Sequence, residues 1–197
     1  MSPSRTGPFQ NRGTALLVVA LAIGFGIELA TNSVGNYASL LKIGALPDNG
    51  QLHGEFWRIA TYSFLHFNVL HLILNVGLLW WIGRVVESQV GVGRGALIYF
   101  VSVICSAVVI LLAHNWHPKE GATVGASGGV FGLLGAALII LYRKNSGERF
   151  RKWLWIALLI GFAVSILPDI SMAGHIGGII GGAAIALIIR VRRNETG

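Results

Sequence analysis

Residues 121–136 read GATVGASGGVFGLLGA, and in this stretch a single serine, Ser127, stands among small residues where a polar loop turns apolar. So many glycines would weaken a helix in water, where each loses more backbone freedom on ordering than alanine does. Inside a bilayer the same residues are useful, because they let neighbouring helix backbones approach closely. The stretch therefore predicts a membrane-embedded helix that opens near Ser127.

Composition points the same way. Of 197 residues, 54% are hydrophobic and 12% charged, and the mean hydropathy is +0.68. That is the balance of an integral membrane protein. A net charge of +7 could suggest nucleic acid, but the basic residues gather at the ends of apolar segments and form no patch or stripe. Orientation in a membrane accounts for them, and nucleic acid is not expected as a partner. The one cysteine, Cys105, lies inside an apolar run and reads as a buried small hydrophobe.

Six apolar segments cover residues 14–29, 69–86, 95–113, 125–142, 153–167 and 171–189, the fifth closed by Pro168. Each approaches the ~20 residues that a ~30 Å hydrocarbon core requires. The expected fold is an all-α polytopic membrane protein, a six-helix bundle at 14–190 between a tail at 1–13 and another at 191–197. A basic start followed by an apolar core could also be a signal peptide, but no small-x-small cleavage site follows, so an uncleaved first helix is the reading. Residues 31–68 mix Gly, Pro47, Asp48 and Asn49 with aromatics and the pair Trp57-Arg58. They are too apolar for a solvated linker. A partly helical structure in the outer interface is expected, with Trp57 and Arg58 at headgroup level.

Charge tests the count. Six spans put both termini on one side, which then receives Arg5, Arg12, Arg84, Arg94, Arg143, Lys144, Arg149, Arg151, Lys152, Arg190, Arg192 and Arg193, twelve of the fifteen basic residues. Lys42, Arg58 and Lys119 fall on the other. Both termini are thus expected in the cytoplasm, with the protein in a plasma membrane such as the bacterial inner membrane. Spans two, four and six then begin on the outer side, and His71, Ser127 and His175 each fall near the start of one of them. All three share one depth.

Polar groups inside a membrane are functional candidates by default. A serine hydroxyl becomes a useful nucleophile when a base takes its proton, which an imidazole does well near neutral pH. Ser127 and His175 can supply that pair. The oxyanion that follows needs donors. His71 and Asn75 are four residues apart and share one helix face, while the Ser127 backbone N–H sits where helix donors are unsatisfied. For the pair to meet, the fourth and sixth helices must nearly touch. Gly174, Gly178 and Gly182 on one and Gly128, Gly132 and Ala136 on the other form two small-xxx-small faces suited to it.

With these residues the sequence resembles the rhomboid intramembrane serine proteases. The matching pieces are Gly125-Ala126-Ser127-Gly128, Gly174-His175 followed by glycines, His66-x4-His71-x3-Asn75 and Trp57-Arg58, in order, over roughly residues 14–190. The resemblance implies a Ser127–His175 dyad without a carboxylate, an oxyanion hole of His71, Asn75 and the Ser127 N–H, and a structural or gate-loop role for Asp169. It implies substrates that are single-span membrane proteins, cut near the outer face where a helix carries small or helix-breaking residues. Such residues matter because a helix in lipid hides its peptide bonds, whereas a protease needs extended backbone. The site should open to water outside, flanked by the first loop and the segment around Pro168. Phe131, one turn after Ser127, is expected to pack its ring on the His175 imidazole.

Two other protease chemistries find no support. A metalloprotease would need a pattern such as H-E-x-x-H, absent around His71, and an aspartyl protease two embedded acids, where only Glu28 and Asp169 come near. No metal or cofactor is implied. The alternative from another class is a catalytically inactive rhomboid-like protein that binds membrane helices for quality control, against which an intact Ser127 and His175 argue.

Overall fold

The computed structural model describes residues 11–114, 121–145, 147–166 and 170–191. Lys119, Pro168, Asp169 and the tail arginines Arg5, Arg192 and Arg193 lie outside the described residues. Among the described residues there are eight α-helices. Six follow the expected spans: α1 (Arg12–Ala30), α4 (Val69–Val90), α5 (Val92–Ala113), α6 (Ser127–Arg143), α7 (Glu148–Val164) and α8 (Met172–Ile188). Of these, α1, α4 and α5 are long and apolar enough to cross a membrane, and α6 and α8 are shorter apolar helices. The chain is an all-helical polytopic membrane protein.

Two boundaries differ from expectation by four residues or more, for local reasons. Helix α7 starts five residues before 153, so Arg149, Arg151 and Lys152 form its first turns instead of the preceding loop. Charged residues with long unbranched side chains propagate a helix well, and Lys152 pairs with Glu148 at 3.3 Å one turn back. Helix α4 runs four residues past 86, until Gly91 turns the chain at φ 88°.

The segment 31–68 is structured. It holds α2 (Tyr37–Ile43), the four-residue α3 (Arg58–Thr61) and a 3-10 turn at Tyr62–Phe64. A two-residue strand β1 (Leu46–Pro47) pairs antiparallel with β2 (Ala122–Thr123), Leu46 opposite Thr123. This short ladder fastens the loop to the chain just ahead of Ser127. Asp48 strengthens it, its backbone N–H donating to the Gly121 carbonyl at 3.1 Å and its carboxylate accepting from Thr123 Oγ1 at 2.6 Å. Trp57 is about half exposed, as an interfacial residue would be, but Arg58 turns inward instead of facing the headgroups. Its guanidinium is buried, pairs with Glu55 at 2.7 Å and donates to the carbonyls of Leu41 and Ala45 at 2.6 and 2.9 Å. Those carbonyls would otherwise be unsatisfied inside the loop, which is why the cation turns inward.

Helix α6 is the centre of the bundle, buried along nearly its whole length. A Cβ on Gly178 would collide with the Gly128 carbonyl oxygen, and one on Gly182 with that of Gly132. The pairs advance in the same sense, so α6 and α8 run parallel with backbones in contact. The third expected member, Gly174, faces elsewhere. A Cβ there would lie 3.0 Å from Ser106 Oγ and Ile110 Cδ1 of α5. Gly177 and Gly181 meet α5 as well, against Ser106 and Cys105, while Gly132 of α6 leaves room for Ser102. Helix α8 therefore has two glycine faces, and α5 is the partner of the second. Cys105 is half-buried, lying against Gly181 instead of deep in the core.

At the other end the helices are held level. Arg143 donates to the carbonyls of Ala186 and Ile189 at the end of α8, and Lys144 Nζ to Gln89 Oε1 of α4 at 2.8 Å. The Glu87 carboxylate accepts from the backbone N–H groups of Asn11, Gly13 and Thr14 and from Thr14 Oγ1, at 2.8 to 3.1 Å. This supplies the orphan donors at the start of α1 with an anionic acceptor from a neighbouring helix.

Candidate active site

Measured from this level end, eighteen residues lead back from Gln89 to His71 and seventeen from Lys144 to Ser127, about 26 Å of helix in each case. His71 and Ser127 thus come to one depth, and local caps set their place. The Asn68 side chain accepts from the His71 N–H at 2.8 Å and starts α4. Ser171 Oγ accepts from the Gly174 N–H at 3.1 Å and caps α8, which begins three residues before His175. Ser127 is the first residue of α6, so its N–H points out of the helix without an intrahelical acceptor.

Gly125 brings the starts of α4 and α6 together. Its φ is +126°, and a Cβ there would lie 2.7 Å from His71 Cε1 and 2.8 Å from Nε2. The His71 imidazole therefore packs directly on the Gly125 backbone, two residues before Ser127. The Gly125 N–H donates to the Tyr62 carbonyl at 3.0 Å, and Tyr62 is in turn fixed by its hydroxyl donating to the Val103 carbonyl of α5 at 2.9 Å. Gly128 on the other side of Ser127 sits against Ser106 and Gly178, where no side chain fits.

His175, 5% exposed, lies flat on Phe131, ring centroids 3.9 Å apart and planes 4° from parallel. Phe131 also meets Phe162 edge-on at 5.9 Å and packs on Gly161, both from α7. Since Phe131 is four residues after Ser127, it occupies the same face of α6, and the His175 ring covers the face from which the Ser127 side chain projects. Ser127 is half-buried. Among the described residues no hydrogen bond joins it to His175, whose recorded partner is Ser165 Oγ, 2.6 Å from Nδ1.

Asn75 is buried beside this site, its Nδ2 donating to the His71 carbonyl at 2.9 Å, which leaves its second amide proton uncommitted. His66 lies in the segment before α4, fully buried, edge-on to His71 with centroids 5.1 Å apart. Its backbone N–H donates to Glu28 Oε1 at 2.6 Å, and both its ring nitrogens lack partners among the described residues. Burial, then the neighbouring His71, hold the His66 ring neutral, its pKa lowered to about 3. Trp57 and Arg58 stand apart from this group, Arg58 bonding within the segment 31–68 with its guanidinium 4.6 Å from the Trp57 ring centroid. Among the described residues no group of three or more His, Cys, Asp or Glu could hold a metal ion.

Three residues of this neighbourhood have no counterpart in the sequence reading: Ser165, Tyr62 and Glu28 in its loop-facing role. Ser165 and Glu28 are each a single polar residue in an apolar run, while Tyr62 stands between Thr61 and Ser63, signals present in the sequence and open to many interpretations.

The family model for the rhomboid domain matches residues 53–192. The chain is 37% identical over 181 residues to Rhomboid protease GluP of Bacillus subtilis (strain 168), covering 87% of this chain and 34% of that protein. It is 33% identical to RHOMBOID-like protein 1 of Arabidopsis thaliana, covering 78% of this chain and 40% of that one. With Rhomboid-like protease 3 of Toxoplasma gondii the identity is 30%, over 76% of this chain and 58% of that one. The chain thus spans about a third to three fifths of the relatives it matches. From the matched domain and these identities, the chain belongs to the rhomboid family.

Proposed function

We propose that this protein is an intramembrane serine protease that cleaves transmembrane proteins near the outer membrane face. The observation that carries this reading is the His175 ring stacked on Phe131, one turn along α6 from Ser127, in a bundle where Gly178 touches the Gly128 backbone. In this reading His175 Nε2 takes the Ser127 proton as Oγ attacks the scissile carbonyl carbon, whose π electrons move to oxygen. The Ser127 N–H, the free Asn75 amide proton and the His71 ring receive that oxyanion. The imidazolium returns its proton to the leaving amine, and water then repeats the sequence on the acyl-enzyme. The Ser127–His175 hydrogen bond belongs to the substrate complex, since catalytic hydrogen bonds in unliganded enzymes are commonly long and tighten on binding.

The membrane domain at 14–190 carries the chemistry, with the tails at 1–13 and 191–197 on the cytoplasmic side of a bacterial inner membrane, as the distribution of basic residues favours. Detergent-solubilised protein treated with a fluorophosphonate probe should be labelled at Ser127, and Ser127→Ala should neither react nor cut a single-span reporter. Cleavage that survives this substitution refutes the reading. A non-catalytic helix binder would instead retain its full effect on target membrane proteins in the Ser127→Ala form.

A further inference from the structure

The second nitrogen of the His175 ring has a partner that a two-residue mechanism leaves without a role. Ser165 caps the C-terminal end of α7, and its Oγ lies 2.6 Å from His175 Nδ1, with both residues 5% exposed. The direction of this bond follows from counting protons. Ser165 Oγ is also 2.7 Å from the Gly161 carbonyl oxygen, which can only accept. The hydroxyl has one proton. Directed at Gly161, it leaves Oγ lone pairs facing His175, and Nδ1 must then carry the hydrogen. Directed at Nδ1, it would set two oxygen lone-pair regions against each other at 2.7 Å inside an apolar bundle. Only the first arrangement satisfies both contacts.

We propose that Ser165 is the positioning residue of the general base: it accepts from His175 Nδ1–H, fixes that tautomer and leaves the Nε2 lone pair free for the Ser127 proton. The proposal rests on the reading of His175 as the base. Stacking on Phe131 sets the plane of the imidazole but permits the half-turn flip about its Cβ–Cγ bond, which keeps that plane and exchanges Nδ1 with Cδ2. The Ser165 bond removes that freedom, because a flipped ring would place a carbon against Oγ. In a serine–histidine–aspartate triad a carboxylate does this work and adds its charge. Here a neutral hydroxyl, held by its own helix, supplies the orientation alone.

Histidine tautomers are read directly from two-bond proton–nitrogen correlation spectra of protein labelled with 15N-histidine, the His175 signals being assigned by their loss in His175→Asn. The unaltered protein should show protonated Nδ1 and bare Nε2 at His175, and Ser165→Ala should show a mixture of tautomers. Turnover of a single-span reporter by Ser165→Ala should fall about tenfold in kcat with KM unchanged, Ser165→Val should behave alike, and Ser165→Thr, which keeps the hydroxyl, should restore most of the rate. An Nε2–H tautomer in the unaltered protein overturns the proposal whether or not any variant folds. So does a Ser165→Ala protein with an unchanged tautomer and kcat. If Ser127→Ala or His175→Asn still cleaves, the protease reading itself falls. If both are inactive while Ser165 proves indifferent, only the positioning role is lost.

Discussion

Replacing Gly125 by alanine separates two reasons for a glycine two residues before Ser127. At φ +126° an L side chain is strained, at about 1–3 kcal/mol. In addition, the new Cβ would stand 2.7 Å from His71 Cε1, where carbon atoms ordinarily rest ~3.5–4.0 Å apart. The imidazole must retreat by roughly 1 Å, and a misplacement of that size in a catalytic constellation costs about 10²-fold in rate. Gly121→Ala is the matched control. Its φ is +142° and the nearest atom to a Cβ is Asp48 Oδ2 at 3.3 Å, so it brings the strain without displacing His71. Melting temperature should fall for both. In proteoliposomes with a single-span reporter, kcat per folded molecule should fall about 10²-fold for Gly125→Ala and stay near normal for Gly121→Ala. Equal kcat in the two variants would refute the argument that Gly125 exists to seat His71.

Three further outcomes follow from the site. Losing the Asn75 amide in Asn75→Ala should lower kcat by about 10²- to 10³-fold with little change in melting temperature; normal turnover would remove it from the oxyanion hole. Phe131→Leu should lower kcat roughly tenfold, corresponding to about 1.4 kcal/mol, while Phe131→Tyr keeps near-normal activity, and equal activity of the leucine variant at matched melting temperature would reduce the ring contact to packing. The His66 pKa, lowered to about 3 by burial, means the folded state binds fewer protons than the unfolded one at acidic pH, so its contribution is present above the unfolded value near 6.5 and is lost as pH falls from there toward 3, by at most about 1.4 kcal/mol per unit. Melting temperatures recorded from pH 7.5 to 4.5 should decline, and His66→Phe should flatten the part of that decline due to this ring.

Hydropathy and charge made the six spans legible, because a bilayer demands a length and a sign from every segment that crosses it. The common depth of His71 and Ser127 followed from that count. What the sequence could not reveal was partnership. A glycine announces that something comes close, and Gly174, Gly177 and Gly181 announce it as clearly as Gly178 and Gly182 do, but only the fold assigns the first three to α5 and the last two to α6. Arg58 misled for a related reason. An arginine beside a tryptophan suits a lipid headgroup, yet the unsatisfied carbonyls of Leu41 and Ala45 are nearer and draw it inward.

Ser165 marks the limit of such reading. A serine at a helix end most often bonds the carbonyl four residues back, and Ser165 does so at Gly161. That ordinary bond commits its proton and thereby turns the oxygen into an acceptor for His175, ten residues away across a loop. Among the described residues no carboxylate hydrogen-bonds to His175, and the two acids buried in the helices, Glu28 and Glu87, accept instead from backbone N–H groups. A carboxylate at position 165 would have to be desolvated beside the ring, at several kcal/mol, whenever the imidazole is neutral. Stacking, a neutral hydroxyl and glycine-to-backbone contact hold the ring without that burden, so an imidazole buried in a bundle stays oriented with no carboxylate beside it.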